Sequence, residues 1–349
     1  MRVALDTNAL YTTRAGVARY VHGLQQGLTA LPGTDLQLIP WAWPVENLGY
    51  TQPWRMLKTA WREGIWPRTA GRAQLRNVDL LHSTHVPLIE RPPVPHVVTV
   101  HDVAVLRHPE RFRPWQRRSA LRRLRHVALA DQIIAVSQFT ADETMATLGV
   151  SAHKIRVIHH GVSLAERESV PGDLPPEFFL FVGSLEPGKN LSLLRQIWLN
   201  AAATGNTLPP LLIVGARWPG VTAEGAAPPG WHYLGHQPDE VLLALYRRAH
   251  ALLFPSVYEG FGLPVLEAMA AGCPVICGRV ASLPEVGGDA VCYADLTAGE
   301  FGAAVAGLLN DAARREAMIT AGRARAARFR WQACAEQTLA VYERSVGRA

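Results

Sequence analysis

ALLFPSVYEGFGLPVLEAMAAGCPVI, residues 251–276, changes its periodicity twice. It opens as a continuous apolar run, Ala251–Phe254, short enough for a strand buried on both faces. A glycine-containing loop, Pro255 to Gly262, leads into a helical pattern from Leu263 to Ala271. Pro264 fits the first turn of that helix, where a missing N–H costs nothing. A second apolar run, Cys273–Ile276, follows at once. Strand, loop, helix and strand in this order is a βαβ unit, which predicts parallel strands.

The same alternation extends in both directions. Towards the N-terminus the strand candidates are Arg2–Leu5, Leu36–Pro40, Val78–His82, His96–Val100, Gln132–Val136 and Ile155–Ile158, with helical patterns at Gly16–Ala30, Pro114–Ala130 and Gln138–Leu148. Residues 165–177 (AERESVPGDLPPE) combine three prolines, a glycine and four acidic residues, and continue neither element. Beyond them the alternation restarts with strands at Phe178–Val182, Leu211–Val214, Trp231–Leu234, Ala251–Phe254, Cys273–Ile276 and Ala290–Tyr293. The expected class is α/β, with two Rossmann-like, doubly wound domains facing a central cleft. Residues 1–165 form the first domain, 166–177 the linker and 178–330 the second; the family resemblance given below implies that a final helix, 331–349, crosses back onto the first.

Composition agrees with a folded enzyme-sized chain. With 48% hydrophobic and 18% charged residues over 349 positions, the chain is too apolar to be natively unfolded. No stretch approaches the roughly 20 apolar residues needed to span a bilayer, and MRVALDTNAL reads as a strand entering a polar loop rather than a signal peptide. Cys273, Cys277, Cys292 and Cys334 have neither zinc-site nor disulfide-framework spacing, so a reducing cytoplasm is expected. The net charge of +6 points to an acidic partner. Almost all of the positive charge is arginine, the lysines being Lys58, Lys154 and Lys189.

In doubly wound sheets ligands gather where strands end and helices begin. Strand 178–182 runs into Gly183-Ser184-Leu185-Glu186-Pro187-Gly188-Lys189-Asn190, where two glycines, a hydroxyl and a lysine meet at a helix start. That suits phosphate, although the spacing is not that of a Walker A loop; an ordinary strand–helix turn with an exposed lysine is the competing reading. In the loop after Phe254, Gly260 and Gly262 permit close backbone approach, and Glu259 and Glu267 can reach one elongated ligand. Glu267 stands in apolar surroundings (LEAMAAG), where a carboxylate needs a hydrogen-bonded partner. His101-Asp102 closes strand 96–100, as a site or as a self-satisfied loop, and Gly16 opens the helix after the first strand.

PSVYEGFGLPVLEAMAAGCPVI (Pro255–Ile276) resembles the signature of the retaining glycosyltransferases of family 4, of the GT-B fold class, with their E-x7-E motif on Glu259 and Glu267. Gly16–Tyr20, His101-Asp102, IIAVSQFT (133–140), KIRVIHHGV (154–162), VGSLEPGKN (182–190), SLPEVGGDA (282–290) and Trp331 through Tyr342 agree in order, so the resemblance covers nearly the whole chain. Within the family it is nearest to enzymes that move mannose or rhamnose-type sugars in bacterial polysaccharide assembly. The resemblance implies that Glu259 contacts donor-sugar hydroxyls, with the amides of Gly260, Phe261 and Gly262 in the same pocket. It further implies that Glu267 holds the ribose. Lys189, the loop at Gly183 and Ser184, and the amides near Gly16 and Leu263 would hold the diphosphate, and His101 would lie beside the reacting sugar. Related sequences carry an arginine where this chain has Ser184 or Gly188; Arg217 or Arg279 is the candidate replacement.

The implied reaction transfers a hexose from a nucleotide-diphosphate sugar to a glycan or lipid-linked acceptor, with Lys189, Glu259 and His101 at the chemistry. No aspartate-rich metal motif is present, so neither metal nor other cofactor is expected. Two rival classes are a sugar-nucleotide epimerase of the same fold, against which the E-x7-E loop weighs, and a nucleic-acid binder. The run from Arg107 to Arg125 holds eight arginines against Glu110, but no nucleic-acid motif or stacking platform accompanies it. That basic amphipathic segment, Phe112–Ala130, instead suits an anionic membrane surface. Trp115, Leu121, Leu124 and Ala128 would pack on the first sheet while the arginines face lipid or a lipid diphosphate. The tryptophans Trp41, Trp43, Trp54, Trp61 and Trp66 would supply apolar contacts near the acceptor.

Overall fold

The computed structural model describes residues 1–12, 16–46, 52–172, 174–217 and 227–347. The chain divides into two compact units: Met1–Gly161 with Arg330–Ala349, and Val162–Phe329.

The first unit carries, in chain order, β1 (Arg2–Asp6), α1 (Ala9–Thr12), α2 (Gly16–Thr29), β2 (Gln37–Trp41), α3 (Pro53–Ala60), α4 (Ala70–Ala73) and β3 (Leu80–Ser83). It continues with β4 (His96–Val100), α5 (Ala104–Arg107), α6 (Pro114–Val127), β5 (Gln132–Ala135), α7 (Gln138–Leu148) and β6 (Ile155–Val157). All strands are parallel, in the order β2-β1-β3-β4-β5-β6. The order reverses between β1 and β3, the place where such sheets open a crevice for a ligand.

The second unit repeats the plan. It holds β7 (Phe179–Val182), α8 (Leu191–Ala203), β8 (Leu211–Val214), β9 (Trp231–Gly235), α9 (Asp239–Arg248), β10 (Leu252–Phe254) and α10 (Leu263–Ala271). Then follow β11 (Val275–Cys277), α11 (Leu283–Gly287), β12 (Cys292–Tyr293), α12 (Ala298–Leu309) and α13 (Ala312–Ala326). Its parallel order is β12-β11-β10-β7-β8-β9, and the switch lies between β10 and β7. Every residue of β7, β8, β10 and β11 is buried, as their unbroken apolar sequences require.

The last helix, α14 (Trp331–Ser345), belongs to the first unit and packs on α2. Its seat is cut by glycines. A Cβ on Gly23 would come within 2.2 Å of the Trp331 indole, and one on Gly161 within 2.3 Å of the Trp331 backbone nitrogen.

The first unit runs to Gly161, and the segment that follows it groups with the second unit. The reason is local: Glu168 pairs with Arg247 and Arg248 of α9, and the Ser169 amide donates to the Glu240 carbonyl. On α6, Leu124 is buried and Leu121 and Ala128 are half-buried, but Trp115 is exposed. The five tryptophans also separate. Trp41 and Trp66 are buried against each other, Trp43 is half-buried, and only Trp54 and Trp61 are exposed.

Candidate active site

The loops after β7 and β10 flank the switch point of the second sheet and are joined directly. The Val257 amide donates to the Gly188 carbonyl at 3.0 Å. The β7 loop turns tightly because Glu186 accepts from the Gly188 amide at 2.8 Å, and Asn190 then takes a left-handed conformation, φ 53°, as the cap of α8. Lys189, on the last residue of that turn, donates through Nζ to Oε1 of Glu259. Two residues 70 positions apart, assigned above to phosphate and to sugar, therefore form one largely buried ion pair. The Lys189 ammonium also lies 5.7 Å from the centre of the Phe254 ring.

Glu259 is held from behind. Ser282, at the end of the loop after β11, donates its hydroxyl to the Glu259 carbonyl at 2.9 Å. Gly262 caps α10 with φ 97°, and a Cβ there would meet Leu283 at 2.7 Å, so the helix N-terminus at Leu263 depends on glycine. Gly260 and Phe261 are buried in the same loop, the Phe261 ring edge-on to Phe329. Glu267, one turn into α10, is buried, and its Oε2 accepts from the Tyr246 hydroxyl of α9 at 3.3 Å. The required partner is thus a tyrosine that motif spacing did not indicate.

Gly183 and Ser184 are half-buried at the end of β7. Gly215 touches them from β8: a Cβ at that position, φ 144°, would fall 1.8 Å from the Gly183 carbonyl oxygen. The Leu185 amide donates to Ala216 at 2.9 Å, and Leu185 bridges to Arg217. Arg217 therefore runs beside the loop that lacks an arginine, whereas the Arg279 guanidinium lies over the Tyr293 ring at 4.2 Å.

In the first unit, Gly16 begins α2, and residues 13–15 before it lie outside the described residues. His101 follows β4, and its Nε2 lies 2.8 Å from the Thr84 carbonyl. A carbonyl only accepts, so Nε2 carries the proton and Nδ1 is the acceptor nitrogen. Burial holds this imidazole below its usual range, keeping it neutral. Asp102 has a different partner, its Oδ1 accepting from the Ala104 amide at 2.9 Å at the start of α5.

The ring of His101 is surrounded by Tyr20, His85 and His160, with centroids 4.9, 5.9 and 5.4 Å away. Behind Tyr20 runs a buried chain of hydrogen bonds, Tyr20 to Thr99 at 2.9 Å, Thr99 to His82 at 2.8 Å and His82 to Tyr342 of α14 at 2.7 Å. Burial pushes His82 down to about 3. Sequence spacing could not find this cluster, because its members come from five separate segments.

Comparison with known proteins places the chain within a family and a fold. The family model described as Glycosyltransferase Family 4 matches residues 14–166, and that described as Glycosyl transferases group 1 matches residues 163–325. O-antigen chain mannosyltransferase B of Escherichia coli is 34% identical over 268 residues, covering 71% of this chain and 70% of that protein. Sucrose-phosphate synthase of Thermosynechococcus elongatus superposes with a TM-score of 0.77 at 19% identity over 100% of both chains. HepE of Anabaena, solved in complex with UDP, superposes with a TM-score of 0.69 at 16% identity over 98% of this chain and 99% of that one.

Proposed function

This chain belongs to glycosyltransferase family 4 and has the GT-B fold class, and we propose that it transfers mannose, or a rhamnose-type hexose, from a nucleotide-diphosphate sugar. The acceptor is a glycan or lipid-linked glycan in polysaccharide assembly, and the anomeric configuration is retained. The observation that carries the reading is the Lys189–Glu259 pair beside the N-terminus of α10, at the switch point of the second sheet. The mannosyltransferase name of the Escherichia coli relative favours the sugar, and UDP in HepE favours a nucleotide ligand.

As the anomeric C–O bond breaks, the pair of electrons leaves with the diphosphate. A cation and a helix N-terminus facing that oxygen stabilise the transition state more than the ground state. An ammonium has three N–H donors, and the bond to Glu259 uses one of them. Glu259 then orients Lys189 and accepts from sugar hydroxyls, and Glu267, fixed by Tyr246, accepts from the ribose. We assign front-face attack, in which the acceptor oxygen bonds to the anomeric carbon and the departing phosphate takes its proton. His101 presents a neutral Nδ1 acceptor to the transferred sugar.

No metal takes part in this scheme, so chelation should leave turnover unchanged. No helix of the described residues is long and apolar enough to cross a membrane. We assign the enzyme to the inner face of the cell membrane, held by the exposed arginines of α6. The deciding experiment is a donor screen over GDP-mannose, UDP-sugars and dTDP-rhamnose, with the anomer of the product read by NMR. Hydrolysis or transfer with none of them, or an inverted product, overturns the proposal.

A further inference from the structure

Helix α3 is inside out. Its one buried residue is a threonine, Thr59, at 2% exposure. Its apolar residues face solvent: Trp54 is 48% exposed and Leu57 73%, and Trp61 and Ile65 in the π-helical turn that follows are 45% and 46%. Positions 54, 57, 61 and 65 fall on one side of a helix, so these four form a continuous stripe. Burying such a stripe is the usual reason for a helix of this composition to form. Here nothing among the described residues covers it, and contiguous exposed apolar surface marks a contact site.

The surroundings identify the contact. Between Gln52 and Arg76 the chain holds Arg55, Lys58, Arg62, Arg68, Arg72 and Arg76 against a single acid, Glu63. Glu63 is turned inward, accepting from Ser119 at 3.3 Å and pairing with Arg123 of α6 at 3.7 Å. That contact sets α6 beside the stripe, with its exposed Arg117, Arg118 and Arg122. The guanidinium of Arg55 and the ammonium of Lys58 each lie 5.0 Å from the Trp54 ring centre, so both cations rim the apolar surface. A protein partner would need a matching acidic groove. An anionic bilayer offers the same complement everywhere, with phosphates at the level of the cations and hydrocarbon below for tryptophan and leucine.

We propose that Trp54, Leu57, Trp61 and Ile65, rimmed by Arg55, Lys58 and the exposed arginines of α6, form a face that lies in the headgroup region of an anionic membrane. This deepens the membrane reading above by assigning an apolar insertion to α3 and an electrostatic role to α6. It is independent of which sugar is transferred.

The test is co-sedimentation of the full chain with phosphatidylcholine vesicles, with and without phosphatidylglycerol. Wild type should bind the anionic vesicles, with added salt weakening binding without abolishing it. Brominated lipid should quench tryptophan emission. Leu57→Ser with Trp61→Ser should lower the partition coefficient about tenfold or more, with the circular dichroism spectrum and nucleoside diphosphate binding unchanged. Arg118→Glu with Arg122→Glu should remove the salt-dependent part alone. Wild-type partitioning by the Leu57/Trp61 variant overturns the proposal, as does absence of quenching. A shift from dimer to monomer in that variant, without vesicle binding by wild type, would assign the face to a second copy and overturn it too. Failure of the donor screen leaves these results untouched, so the two proposals fail separately.

Discussion

Replacing Lys189 by alanine separates stability from chemistry in the second unit. The side chains of Lys189 and Glu259 are 17% and 12% exposed and bonded to each other. Removing the lysine alone leaves a mostly buried carboxylate without its counter-ion. Truncating one member of a buried pair costs about 3–5 kcal/mol, and the residual exposure reduces this to about 2–3 kcal/mol. In a unit of this size 1 kcal/mol moves the melting midpoint by about 2–4 °C, so Tm should fall by roughly 4–12 °C. Adding Glu259→Gln removes the stranded charge, and Tm should return to within a few degrees of wild type. Turnover should not follow. Loss of one electrostatic donor to a developing anion costs about 10²- to 10³-fold, and the double variant restores no cation. Calorimetry and donor hydrolysis measured on the same three proteins decide the matter. Equal Tm for single and double variants would refute the ion pair as a stabilising contact. Recovery of turnover in the double variant would refute Lys189 as a participant in the chemistry.

Acid should loosen the first unit before the second. Burial holds His82 at about 3 and His96 at about 4, so both rings stay neutral in the folded state while the unfolded chain takes up protons below about 6.5. Their stabilising effect is complete above that value and is lost as pH falls. Each costs about 2 kcal/mol at pH 5, and hydrogen exchange should show first-unit amides losing protection there; pH-independent protection would contradict this. Gly161→Ala places a Cβ 2.3 Å from the Trp331 backbone nitrogen and should cost about 1–3 kcal/mol by overpacking, read as a lower Tm and earlier proteolysis ahead of α14. Glu267→Ala should weaken competition by free nucleoside diphosphate about tenfold or more while changing turnover at saturating donor less. Tyr246→Phe should move the same competition in the same direction, since the tyrosine aims that carboxylate.

Much of this protein is written locally. Apolar runs of four or five residues alternating with amphipathic segments specify parallel βαβ units, because a strand covered on both faces must be continuously apolar. Pro264 at the start of α10 and the glycines at 260 and 262 are legible for the same reason, each answering a backbone demand of its own few residues. What stayed hidden depends on which strands lie side by side. Strand order, not spacing, brings Lys189 to Glu259 and Arg217 alongside Leu185. The rings around His101 are gathered from α2 and from the segments that follow β3 and β6, and the hydrogen-bond chain behind Tyr20 runs on to α14, by the packing of a whole unit. The five tryptophans read alike in sequence, and only packing separated Trp41 and Trp66, which bury each other, from Trp54 and Trp61, which face out. Periodicity shows that a helix has an apolar side; which way that side turns is set by the surface it meets, and in α3 the side turned inward is the one that carries Thr59.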